Sequence, residues 1–94
     1  MVSRDGDIIR VSGPVTIDNV TAVIEAGRQA ISGSDPVVDL SGLENVDSAA
    51  ISMMLEWMRD AARGGRRVRF ANLPENLRTL AKVYGVLDVL PLAG

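Results

Sequence analysis

The amino-acid sequence predicts an α/β domain, with a mixed sheet of four or slightly more strands that opens on an N-terminal hairpin and carries three to four helices. Three observations predict it. Short runs rich in β-branched residues alternate with longer segments of helical period. The connections between them are short, and no Pro, Gly or Ser linker is long enough to divide the chain, so residues 1–94 read as one domain. Hydrophobic residues make up 47% of the 94 positions and charged ones 23%, which suits a soluble fold with one core rather than a disordered or fibrous chain.

The elements follow in order. Met1 to Arg4 and Asp7 to Val11 flank Asp5-Gly6, a dipeptide suited to a tight turn, and read as two antiparallel strands. Beyond Gly13-Pro14 and Val15-Thr16-Ile17, Asp18 is a candidate N-cap. Val20, Val23, Ile24, Gly27 and Ile31 then share one face of a helix over about 19 to 31. Ser32 to Asp35 is a turn cluster, Pro36 opens the buried strand Val37 to Leu40, and Ser41 to Asp47 reads as a loop. The second helix begins at Ser48 and stops at Gly64-Gly65. Arg67 to Phe70 alternates polar and apolar like a strand with one covered face. Pro74 marks the first turn of the last helix, in which Leu77, Leu80, Ala81 and Tyr84 form the inward face, and a short apolar tail, Val86 to Leu92, follows with its packing place left open.

Composition excludes several function classes. Trp57, Phe70 and Tyr84 are the only aromatic residues and the net charge is -2, so neither a stacking platform nor a cationic surplus is at hand for nucleic acid. With no cysteine and no histidine, thiolate chemistry, the commonest general base and the usual zinc ligands are missing together. Asp39, Glu44 and Asp47 read as loop and cap residues rather than a magnesium site, and Gly64-Gly65 lacks the spacing of a phosphate loop. No cofactor is expected. No apolar run reaches the ~20 residues needed to cross a bilayer, and acidic residues stand where a signal peptide would be basic. The expectation is a cytoplasmic protein without direct membrane insertion. The arginine-rich block Arg63 to Arg69 reads as a solvated helix end and strand face.

The informative stretch runs from Val37 to Ala50, out of a buried strand and into a helix start, where backbone N–H groups present partial positive charge. There Ser48 is a candidate cap, and Ala49 and Ala50 keep the first turn low, inviting close contact. Met53 and Trp57 lie at one margin of the helix's wide apolar arc. They fit two readings equally: half-exposed interface anchors, or core packed under a neighbouring helix. Ser48, Ala49, Met53, Trp57 and Asp47 are therefore the candidate partner contacts. Hydrolysis by Ser48 would need a base from among Asp39, Glu44, Asp47 and Lys82, and the bland role of a helix-start serine is N-cap duty, so binding ranks above catalysis and no enzyme is expected.

The run Asp39-Leu40-Ser41, followed by Val46-Asp47-Ser48 and small residues, resembles the STAS domain of sulfate transporters and anti-sigma factor antagonists, with matching element order from Ile8 to Leu90. The resemblance implies a STAS-like fold and, in the antagonist branch, regulation by a partner serine kinase that phosphorylates Ser48. This chain departs from that branch at Ala49-Ala50, where Ser, Thr or Gly followed by Gly is usual. The segment Leu80 to Pro91 is similar to the STAS subunit of Mla-type ABC transporters, with Ser48 where Thr is common. That similarity implies a subunit bound to the cytoplasmic ATPase and, through it, to the permease and lipid-binding subunits, peripheral to the inner membrane. The system it implies serves phospholipid trafficking and outer-membrane lipid asymmetry.

Overall fold

The structure, a computed structural model, describes residues 1–93. Strands β1 (Val2–Asp5) and β2 (Ile8–Val15) lead into helix α1 (Val20–Ile31); β3 (Val37–Val46) leads into α2 (Ser48–Arg63); β4 (Arg69–Ala71) precedes α3 (Glu75–Val83) and a single 3-10 turn, Leu87–Val89. The sheet order is β1-β2-β3-β4, with β1 antiparallel to β2 and the pairs β2/β3 and β3/β4 parallel. The expected mixed sheet with its N-terminal hairpin is present.

One face of the sheet is covered. Ile9, Val11 and Val15 of β2, Val38, Leu40 and Leu43 of β3 and Phe70 of β4 are buried in one cluster with the inward residues of the three helices. Arg10, Ser12 and Arg69, which alternate with them, are exposed, as a pleated sheet covered on one side requires.

Several boundaries differ from the sequence reading, each for a physical reason. The hairpin turn is Gly6-Asp7, one residue later than expected, because Asp5 pairs with Ile8 and Gly6 takes the positive φ of the first central position at 62°. Strand β2 runs on to Val15, and most of the expected loop Ser41 to Asp47 belongs to β3: Ser12 pairs with Gly42 and Val15 with Val46, across register shifts between Arg10 and Ser12 and between Gly13 and Val15, each with an extra residue on β3. The pairing partner, not the local Ser-Gly signal, sets that strand's length. Asn19, rather than Asp18, is the residue before α1; its Oδ1 accepts the Thr16 N–H at 2.9 Å and its Nδ2 donates to the Pro14 carbonyl at 2.9 Å, bracing the approach to the helix.

Helix α2 ends in a Schellman arrangement, with the Arg66 N–H donating to the Ala61 carbonyl at 2.8 Å and the Gly65 N–H to the Ala62 carbonyl at 3.1 Å. The tail returns to the sheet beside β4: the Phe70 N–H donates to the Pro91 carbonyl, and the Ala93 N–H to the Phe70 carbonyl, both at 2.8 Å.

Helices α1 and α2 lock together through one large and one absent side chain. The Trp57 Nε1–H donates to the Ile24 carbonyl at 3.0 Å, and a Cβ built on Gly27 would lie 2.1 Å from Cζ2 of the Trp57 ring. No side chain fits at position 27 beside that ring. Around this contact Arg28 reaches Asp60 at 2.7 Å, Glu25 at 2.8 Å and Glu56 at 3.6 Å. The hydrogen bond from Arg28 holds the Asp60 carboxyl below the ordinary range, outweighing the opposing effect of burial.

Candidate functional site

The start of α2 is held by Asp47. Its backbone is extended, with φ -125° and ψ -167°, so its side chain can fold back over the first turn: Oδ1 accepts the Ala49 N–H at 2.8 Å. Oδ2 accepts the Ile17 N–H at 3.1 Å, which ties the segment between β2 and α1 to the helix start. The cap is therefore Asp47 and not Ser48. Ser48 is already the first residue of the helix, and its hydroxyl makes no hydrogen bond among the described residues.

That hydroxyl faces solvent. Beside it, Ser48, Ile51, Ser52, Leu55, Tyr84 and Val86 line an open groove between the first half of α2 and the corner where α3 ends. Tyr84 is 56% exposed, and Ile17, drawn in by the Asp47 carboxylate, is 76% exposed. A polar hydroxyl thus sits beside exposed apolar side chains, the mixture found at protein interfaces. Among the described residues no carboxylate or amine is in hydrogen-bond contact with the Ser48 oxygen, and Asp47, its neighbour, is engaged by two backbone N–H groups.

Of the five residues singled out from the sequence, Ser48 is exposed and Asp47 half-buried. The other three are corrected. Ala49 is 6% exposed, while Met53 and Trp57 are both 0% exposed, so none of the three forms surface. Helix α1 closes over Trp57, with Gly27 making room for the indole, and Met53 lies in the same buried cluster; the core reading of these two holds and the interface reading fails. Ala49 packs inward with Ala50.

Sequence reasoning missed Ile17, Ser52 and Leu55, and it assigned Tyr84 to the inward face of α3. Tyr84 is the residue just past that helix, and the chain turns there, with the Val86 N–H donating to the Ala81 carbonyl at 2.9 Å, which swings the phenol outward. A tyrosine directly before a helix-ending glycine carried that signal. Ile17 carried one too: it is an apolar residue before the polar pair Asp18-Asn19, outside the period of α1. Asp39, the first acid of the motif, acts on its immediate surroundings, where its Oδ1 accepts the Ser41 N–H at 2.9 Å and the Asn72 Nδ2–H at 3.2 Å. The Ser41 N–H chiefly holds its carboxyl below the usual range, against desolvation and with help from Asn72 and Arg10.

This arrangement of sheet and helices occurs in solved structures. A chain of the Acinetobacter MlaFEDB complex in an ATP-bound conformation superposes with a TM-score of 0.80 at 23% identity, covering 94% of this chain and 95% of that one. The anti-sigma factor antagonist SpoIIAA in its unphosphorylated form superposes with a TM-score of 0.75 at 17% identity, over 100% of this chain and 87% of that one. The α/β fold with a serine opening its middle helix is that of a STAS domain. A family model described as "Mlab, STAS domain" matches residues 2–91, and this chain belongs to that family. It is 30% identical over 89 residues to the intermembrane phospholipid transport system binding protein MlaB of Shigella flexneri, across 94% of this chain and 91% of that protein.

Proposed function

We propose that this chain is a non-catalytic STAS subunit of an Mla-type ABC transporter, that it docks on the cytoplasmic ATPase through the surface around Ser48, and that it supports assembly or activity of the transporter in phospholipid trafficking and outer-membrane lipid asymmetry. The observation that carries this reading is the exposed Ser48 in a groove shared with exposed Tyr84, with Ile17 tied to the helix start by Asp47, on a chain similar to MlaB over nearly its full length. The indole that would otherwise anchor an interface is inside, so Tyr84 supplies the aromatic contact and Ser48 the hydrogen bond. Asp47 contributes by holding Ile17 and the helix start side by side. No described helix is long and apolar enough to cross a membrane, and in this reading the subunit is held at the inner membrane by its partners, the permease and lipid-binding subunits lying beyond the ATPase.

The test is co-expression of the tagged chain with the ATPase, permease and lipid-binding subunits encoded beside it, followed by affinity capture. Capture of the ATPase that is lost in Ser48→Arg and in Tyr84→Asp, with both variants still folded, is the expected result. Capture that survives both substitutions overturns the proposal.

A second reading, an anti-sigma factor antagonist switched by phosphorylation, is favoured by the free Ser48 hydroxyl and the likeness of fold to SpoIIAA. A phosphate there would add ~-1.5 to -2 charges at a helix N-terminus, which favours anions, and would fill the contact space. Incubation with a serine kinase encoded beside the chain, followed by intact mass, distinguishes the two: one added phosphate on wild type and none on Ser48→Ala supports the switch.

A further inference from the structure

The arginine block beyond α2 has a shape that its sequence did not disclose. At the end of α2 remote from Ser48, Met58, Val68 and Pro91 form the floor of a recess whose rim is Arg66, Arg67 and Arg69. Val68 is buried, Met58 and Pro91 are half-buried, and the three arginines are exposed. None of the three forms an ion pair among the described residues. Arg28, Arg59 and Arg63 nearby are instead matched to Glu25, Glu56 and Asp60. The neighbouring acids are otherwise engaged: Asp35 accepts the Arg67 backbone N–H at 2.8 Å, and Asp60 is held by Arg28 and Arg63. A chain of net charge -2 thus gathers three guanidinium groups, none in an ion pair among the described residues, around one apolar hollow.

We propose that this recess binds an acidic peptide segment of a partner protein, with one apolar side chain seated on Met58, Val68 and Pro91 and flanking carboxylates on the arginine rim. Guanidinium groups suit carboxylates because their planar donors pair with both oxygens. The apolar surface is sunken beneath the charges, so it accepts a protruding side chain; a lipid surface would call for apolar residues that project beyond the basic ones. Met58 lies ten residues beyond Ser48 on α2, roughly 15 Å along the axis, and the two sets of lining residues share no member. The recess is thus a surface distinct from the Ser48 groove, and this inference stands or falls independently of the docking proposed around Ser48.

The experiment is a nuclear magnetic resonance titration of the isotope-labelled full chain with a short peptide in which Leu-Phe is flanked on each side by two acidic residues. Shifts concentrated at Met58 and at Arg66 to Arg69 are expected, with affinity falling about tenfold between low salt and roughly 0.2 M salt. The triple variant Arg66→Gln, Arg67→Gln, Arg69→Gln should weaken binding by a further factor of about ten or more. The same peptide with its acids replaced by Asn and Gln should give no shifts. Absence of shifts at millimolar acidic peptide, equal binding of the neutral peptide, or shifts that map elsewhere would each overturn the proposal. So would arginine-dependent sedimentation with phosphatidylcholine and phosphatidylglycerol vesicles in the absence of peptide binding, which would assign the recess to a lipid surface.

Discussion

Two strips run along α2, and they differ in what the rest of the fold places against them. One contains Met53 and Trp57, fully covered; the other contains Ser48, Ser52 and Leu55, and lines the groove beside Tyr84. In the sequence, the apolar arc of this helix is wider than a helix resting on a sheet needs, which makes its margin look available to a partner. The tertiary structure accounts for the width differently. α2 is flanked by α1 and α3 as well as lying over the sheet, so the surplus apolar residues face neighbours within the chain. A wide apolar arc therefore reports the number of neighbours and not whether they belong to the same chain. The exposed strip is the less apolar one, and the large exposed side chains near it, Ile17 and Tyr84, come from outside the helix.

Substitutions at the two strips sharpen this contrast, and the largest effect belongs inside. Trp57→Ala should lower the unfolding free energy by about 3–5 kcal/mol, through the cavity left and the lost bond to the Ile24 carbonyl, as read by urea denaturation. Gly27→Ala comes next: a helix interior ordinarily favours alanine over glycine by about 1 kcal/mol, but here the added carbon meets the indole and a net loss of about 1–3 kcal/mol is expected. Combined with Trp57→Ala, Gly27→Ala should cost nothing further, and strict additivity of the two would contradict the contact. Asp47→Ala removes a cap and the tie to Ile17; a loss of about 1–2 kcal/mol is expected in the same denaturation assay, together with weaker capture of the ATPase.

Acid should act through Asp60 and Asp39. Both carboxyls are held below their ordinary range in the folded chain, so the stability they contribute is complete above the unfolded value, about 4, and drains away as pH falls below it toward the folded values. Denaturation midpoints measured down the acid range should decline more gently in Asp60→Asn than in wild type; identical slopes would show that Asp60 has no share in the effect. The smallest change in stability belongs to the outer strip. Ser48→Glu should shift unfolding by no more than about 0.5 kcal/mol, since the hydroxyl makes no bond among the described residues and a negative charge suits a helix start. A large destabilisation by that substitution would mean that the strip is interior after all.

Much of the fold was legible because it depends on near neighbours in the chain. The periodicity of α1 and α2, the glycine stop after Arg63, the hairpin at Gly6 and the strand segments Ile9 to Val11 and Val37 to Leu40 all follow from local pattern and backbone preference. Of the candidate site, the position of Ser48 at a helix start was legible for the same reason, because a strand, a short polar stretch and small residues mark where a helix begins.

What the chain alone left open depended on contacts between residues far apart in sequence. The Asp47 carboxylate that caps α2 also accepts the Ile17 N–H, 30 positions away, a tie that no local pattern could disclose. The true length of β3 turned on its pairing with β2, and the side to which Trp57 points turned on the space left by Gly27 in another helix. Local sequence therefore determined which elements form and roughly where they start and stop, since those choices rest on backbone geometry and hydrophobic period. Only the tertiary structure decided which apolar residues are surface, because burial is set by the elements that happen to pack alongside.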